Sequence, residues 1–305
     1  MLVAQLDVVT GAFGYTGKYI ARRLLANGRH VKTLTRRPPS ASPFGSAVTV
    51  APLDFERPAN LVRALAGVDT LYNTYWIRFE RGAATFDRAV ANTRVLIAAA
   101  RDAGVRRIVH LSITNPSPTS PLLYFRGKAL VEELIAGSGL SYALLRPTVI
   151  FGDEDILINN IAWLLRRFPV FLTPGSGAGR LQPVFVDDMA RIAVTAGRAQ
   201  ENLVIDAVGP QVFRFEELVH LIAAAVGSRA RVVYVSPALA LRATRWIGWV
   251  VRDVLLTRDE LAGLMENLLV SDGPPTGSTR LADWLGANAP HIGRRYASEL
   301  KRHFR

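Results

Sequence analysis

Along the first half of the chain, short β-branched runs alternate with longer stretches whose apolar residues recur at helical spacing. "LDVVT" leads into "YTGKYIARRLLANG", "HVKTLT" follows, and then "AVTV", the helical "PANLVRALAGV" and "DTLYNTY". After them come "FDRAVANTRVLIAAARDAG", "RRIVHLSI", "PLLYFRGKALVEELIAGSG" and "SYALLRPTVI". Strand and helix in this rhythm predict βαβ units on a parallel sheet. Gly28, Gly104 and Gly139 sit where left-handed helix C-caps are wanted. The expected fold is α/β: a doubly wound parallel sheet, the Rossmann arrangement, with a smaller C-terminal α+β substrate region.

Beyond Arg146 the rhythm loosens. "GDEDILINNIAWLLRRF" reads as helix, "TPGSGAGR" as a glycine-rich loop, and "QPVFVDDMARIAVTAG" as strand then helix. Past about residue 207, "FRFEELVHLIAAAVG" and "TRDELAGLMENLL" are helical, "RVVYV" is a strand and "SDGPPTGST" a loop. A dinucleotide-binding domain is expected over 1–150, rejoined by 184–206. The substrate-binding region takes 151–183 and 207–305.

Composition narrows this picture. The 305 residues are 50% hydrophobic and 20% charged, a profile that folds throughout. There is no cysteine, so disulfides, thiolate metal sites and a Cys nucleophile are excluded. The net charge of +12 comes mainly from arginines scattered through "ARRLL", "WLLRRF" and "RVVYV". No single basic run or aromatic-interleaved patch forms, so a solvated arginine surface is expected and nucleic acid is not an expected partner. "MLVAQLDVVTG" shows no basic leader, so a cytoplasmic protein is expected.

No apolar run is long enough for a transmembrane helix. In "ALALRATRWIGWVVRDVLL", residues 238–256, Arg242, Arg245, Arg252 and Asp253 break the apolar pattern. With Trp246 and Trp249 as anchors, the segment could make peripheral contact with a membrane. The preferred expectation is that it packs on its own domain or lines an apolar pocket. Nothing in these patterns fixes the oligomeric state.

Candidate chemistry begins after the first strand, in "TGAFGYTG", where Gly11, Gly14 and Gly17 are evenly spaced. One glycine turns out of the strand, one lets backbone N–H groups reach a pyrophosphate, and one lets helix and strand approach closely. The helix N-terminus then faces the phosphates with its positive end. Phe13, Tyr15 and Thr16 complete the candidate loop. The second strand ends "KTLTRRPPS", offering Arg36 and Arg37 where an NAD-binding protein carries an acid. A guanidinium matches a 2′-phosphate, which favours NADP(H), with NAD(H) the alternative. Asp54 either accepts from the adenine amino group or caps the next helix. His110 and His220 each stand alone in an apolar segment and are expected as satisfied core residues. No His/Asp/Glu grouping has metal-ligand spacing, so no metal site is expected.

"TGAFGYTG", Tyr124 with Lys128, "LLRPTVIFG" and "QPVFVDDMA" together resemble the short-chain dehydrogenase/reductase superfamily in its extended or atypical branch. Within it the chain is similar to the nucleotide-binding accessory subunit of respiratory complex I and to bacterial NAD(P)-dependent epimerase/dehydratase-like proteins. The resemblance implies an NADP(H)-dependent oxidoreductase or epimerase/dehydratase acting on a small carbonyl or alcohol. In that case Tyr124 exchanges the proton at the substrate oxygen, and Lys128 lowers the phenol pKa and holds the nicotinamide ribose. A third hydroxyl polarises the substrate, either Ser112 or Thr114. Pro147, Thr148 and Val149 resemble the segment beside the nicotinamide, and backbone groups of Asn73 and Thr74 the ribose contact. The fourth-strand ending "YNTYWIRF" is bulkier than the branch's usual small-residue ending, so Tyr75 or Trp76 is expected to narrow the cleft. The branch also holds members that bind nucleotide without turnover, and such a binding protein, docking to a partner or membrane surface, is the alternative.

Overall fold

The computed structural model describes residues 5–303, so the first four residues of the N-terminal stretch lie outside the described residues. Met1–Pro147 with Val186–Ala207 form one compact unit; Thr148–Phe185 with Val208–Arg305 form a second.

The first unit opens with β1 (Leu6–Thr10), α1 (Tyr15–Ala26), β2 (His30–Thr35), β3 (Val48–Pro52), α2 (Pro58–Leu65) and β4 (Val68–Asn73). It continues with α3 (Phe86–Asp102), β5 (Arg107–Leu111), α4 (Leu123–Ala136) and β6 (Ser141–Pro147). The chain then builds β7 (Ile150–Phe151), α5 (Leu157–Arg167), β8 (Val170–Pro174), β9 (Arg180–Leu181) and β10 (Val184–Phe185) in the second unit. It rejoins the first through α6 (Val186–Arg198) and β11 (Leu203–Ala207). The second unit ends with β12 (Phe213–Arg214), α7 (Phe215–Ala225), β13 (Arg231–Val235), α8 (Pro237–Val251), α9 (Arg258–Met265), α10 (Leu281–Asn288) and α11 (Glu299–His303).

The first unit's sheet runs β11-β6-β5-β4-β1-β2-β3. All its pairings are parallel, so this is the doubly wound Rossmann sheet. Val8, Leu71, Ile108 and Leu144 point to one face, where Leu61, Leu65, Leu96, Val131 and Ile135 of α2, α3 and α4 cover them. On the other face α1 and α6 pack together. Strand order reverses between β1 and β4, and it is at the carboxyl ends flanking such a switch that ligands bind in this architecture.

The second unit is a mixed α+β body. Its three two-stranded sheets pair β7 with β10, β8 with β13, and β9 with β12, the last antiparallel. Phe151, Leu165, Leu218, Ile222, Trp284 and Leu285 centre its core.

Several expectations are corrected. His220 is exposed on α7, not in the core. Arg107 is fully buried instead of solvated: it donates to the carbonyls of Ala196 and Glu201 and to Ser141 Oγ. Gly139 has φ +81° but lies past the end of α4, whose C-cap is Gly137 in right-handed geometry. The α8 segment does not bury its tryptophans: Trp246 is 73% and Trp249 77% exposed. Among the described residues no helix is long and apolar enough to cross a membrane.

Candidate functional site

The turn out of β1 is made by Gly11 at φ +68°, a left-handed conformation that β-carbons disfavour. Its N–H donates to the Leu34 carbonyl of β2 at 2.9 Å, and Gly14 N–H returns to the Gly11 carbonyl at 2.8 Å. A β-carbon on Gly17 would collide with that same carbonyl and crowd Ala12. Gly17 therefore lets α1 start directly against the turn. Gly14 is the N-cap, offers no side-chain acceptor, and the first turn of α1 has no acidic residue. An uncapped, acid-free helix start is matched to an anionic phosphate.

Phe13 is buried, and its carbonyl accepts from Arg37 Nη1 at 2.9 Å. Arg37 N–H donates to Thr35 Oγ1, so this arginine is fixed against the glycine turn while Arg36 is exposed. Tyr15 and Thr16 occupy the first turn of α1 and are half-buried. Asp54 does not cap α2, whose N-cap is Arg57. It accepts from Glu56 N–H at 3.1 Å and from Asn60 Nδ2 at 3.3 Å.

Where β1 meets β4, Thr10 Oγ1 donates to Asn73 Oδ1 and accepts the N–H groups of Thr74 and Tyr75. Thr74 Oγ1 donates to the Thr10 carbonyl. The Thr74 amide, one of the backbone groups expected at a ribose, is thus already engaged by Thr10. Asn73 is buried, and because its Oδ1 accepts from Tyr75 N–H, its Nδ2 donates to His110 Nδ1 at 3.0 Å. That bond leaves the His110 proton on Nε2, a buried atom with no partner. Burial, and then the Lys128 charge, hold the imidazole well below its ordinary pKa.

Lys128, on α4, is 3% exposed. Its Nζ donates to the Leu111 carbonyl at 2.6 Å and lies 4.7 Å from the Trp76 ring centroid. Burial lowers its pKa to about 7, against the opposing pull of Glu132. Ser112 follows β5, joined to β6 through its N–H to the Leu145 carbonyl at 2.7 Å. Its Oγ is buried and unpartnered, as is Trp76 Nε1. Thr114 is buried nearby in sequence and donates its N–H to the Pro147 carbonyl.

Tyr124 stands in the first turn of α4, half-buried, with its ring edge-on to Trp76 and Phe86. Trp76 in turn stacks on Phe86 and presses on Gly127, where a β-carbon would lie 3.0 Å from Cη2. Tyr75 turns away: its hydroxyl accepts from Asn92 and its ring packs on Phe55. The aromatic wall over the Tyr124–Lys128 turn is therefore Trp76 and Phe86. Gly127 and Phe86 escaped the sequence reading, although a glycine inside "YFRGK" signals close approach of another group. Pro147 ends β6 in the first unit, whereas Thr148 and Val149 belong to the second, where Val149 packs on the core. Among the described residues no group of three or more His, Cys, Asp or Glu could hold a metal ion.

These features fit a dinucleotide: a close-packed glycine turn and an uncapped helix start at the carboxyl end of β1 beside the switch, with a buried hydroxyl lacking a partner at the end of β5. The sequence profile of a family described as NAD(P)H-binding matches residues 11–159. Subunit 9 of the mitochondrial NADH dehydrogenase (ubiquinone) 1 alpha subcomplex of Arabidopsis thaliana is 26% identical over 225 residues, covering 70% of this chain and 56% of the relative. Sterol demethylase protein B of Methylococcus capsulatus is 36% identical over 171 residues, covering 48% and 52%. The chain thus spans little more than half the length of these curated relatives. The NADPH-dependent quinone oxidoreductase of Escherichia coli, solved with NADPH, superposes with a TM-score of 0.73 at 25% identity, covering 93% of this chain and 99% of that one. Through residues 11–159 the chain is similar to the family described as NAD(P)H-binding.

Proposed function

We propose that the protein is an NADP(H)-dependent oxidoreductase acting on a small carbonyl or alcohol substrate. The observation that carries this reading is the buried, unpartnered Ser112 hydroxyl. An unsatisfied buried hydroxyl costs on the order of 1–3 kcal/mol, and a substrate oxygen would complete its hydrogen bond. Bound NADPH would supply the hydride. Ser112 would donate to the carbonyl oxygen, and Tyr124 would pass its phenolic proton to that oxygen and be re-protonated from solvent. Lys128, in its ammonium form, would stabilise the tyrosinate and hold the nicotinamide ribose. Of the two candidate hydroxyls, Ser112 is chosen because its Oγ is the one with an open hydrogen bond.

The fixed Arg37 supports a preference for the 2′-phosphate, with Arg36 as a second cation; NAD(H) is the competitor. Asp54 is assigned to the adenine end and Pro147 to the nicotinamide end. The aromatic wall of Trp76, Phe86 and Tyr124, together with the quinone oxidoreductase likeness, favours a planar carbonyl such as a quinone over an open-chain one. NADPH consumption with a panel of aldehydes, ketones and quinones tests this. Ser112→Ala and Tyr124→Phe should each lower kcat by roughly 10²-fold or more; undiminished turnover in Tyr124→Phe would remove the phenol from the mechanism.

A second reading has its own observation. Lys128 donates to a backbone carbonyl and is roofed by Trp76, an arrangement that also suits nucleotide binding without turnover. Micromolar NADPH binding with no turnover across the panel would favour it.

A further inference from the structure

We propose that α8 docks the protein onto an anionic phospholipid surface. This helix builds itself locally: Ser236 Oγ caps the Leu239 N–H and Pro237 takes the first position. Its buried flank, with Ala240 and Gly248, is narrow. On the other side Leu239, Trp246 and Val250 fall in one row at seven- and four-residue spacing, with Arg242 and Trp249 in the adjoining row. Trp246, Trp249 and Val250 are 73%, 77% and 71% exposed, and Leu239 is 48%. Two bare tryptophans on one helix face carry a large desolvation gain for any apolar environment that takes them up.

Charge selects that environment. Arg242, Arg245 and Arg252 are exposed beside the row, and residues 236–252 contain no Asp or Glu. Among the described residues none of the three guanidiniums pairs with a carboxylate. Asp253, the next acid, is buried and accepts the N–H groups of Glu299 and Leu300, so it does not neutralise the face. Indole rings at headgroup depth, flanked by unpaired arginines on a helix too short to span, suit an in-plane position on an anionic bilayer. The whole chain's +12 charge acts in the same sense.

The test is co-sedimentation of the full chain with phosphatidylglycerol/phosphatidylcholine vesicles and with pure phosphatidylcholine vesicles. Binding is expected to the anionic vesicles and to weaken with added salt. Trp246→Ser/Trp249→Ser should weaken it roughly tenfold or more, and Arg242→Gln or Arg245→Gln roughly fivefold each, with circular dichroism spectra and NADPH affinity unchanged. No binding to anionic vesicles, or equal binding by the tryptophan variant, would overturn the proposal. So would a self-associated form that the tryptophan variant disrupts while vesicles bind neither protein, which would give this face to a second copy.

Discussion

Gly17 and Gly28 lack a side chain for different physical reasons, and the difference can be measured. Gly28 has φ +71° with open space where a β-carbon would sit, so Gly28→Ala should cost about 1 kcal/mol of stability and leave NADPH affinity unchanged. At Gly17 the new methyl meets the Gly11 carbonyl, and Gly17→Ala should weaken NADPH binding roughly tenfold or more, read by fluorescence titration. Lys128 makes a prediction in pH. Folded, it releases its proton near pH 7 because burial penalises the ammonium. Unfolded, it holds that proton to about pH 10. Between these values the unfolded chain binds more protons, so Lys128 adds stability as pH rises through the window. Lys128→Met removes that contribution, and the gap between wild-type and variant urea midpoints should change steadily from pH 7 to 10. A constant gap would show that burial does not shift this amine.

At the scale of elements, Arg107 ties β5 to the end of α6 and the approach to β11. Arg107→Met strands two carbonyls and Ser141 Oγ, and should destabilise by roughly 2–4 kcal/mol in urea unfolding. This role was not legible: "RRIVHL" reads only as a strand, because burial of a guanidinium depends on acceptors contributed from residues 196 and 201. The paired strands β8 and β11 were equally silent. "VFLTP" and "LVIDA" are short, and their partners lie far along the chain in β13 and β6. The alternating βαβ rhythm, by contrast, announced the parallel sheet, since each strand there carries its own β-branched run and each helix its own amphipathic face. The α8 tryptophans show the converse limit. Helical spacing revealed the element but not which face is covered, because covering depends on what packs against it.

For the whole molecule, the glycine turn was readable because its spacing and position after a strand reflect local backbone demands. The aromatic roof over Lys128 was readable only in part. "YNTYWIRF" showed bulk, while the choice of Trp76 over Tyr75 as the covering ring follows from Gly127 and Phe86 on separate helices. Nucleotide linkage should be visible in global stability: at a hundred times its Kd, NADPH should add about 2.7 kcal/mol, and NADH at the same concentration less. The most direct measurement of the central claim is NADPH oxidation by wild type and by Tyr124→Phe and Ser112→Ala, with quinone and carbonyl acceptors, after equal NADPH affinity has been verified for all three. The account predicts turnover by wild type and a loss of roughly 10²-fold or more in each variant. Tight NADPH binding with no wild-type turnover on any acceptor, or variants as fast as wild type, would contradict it.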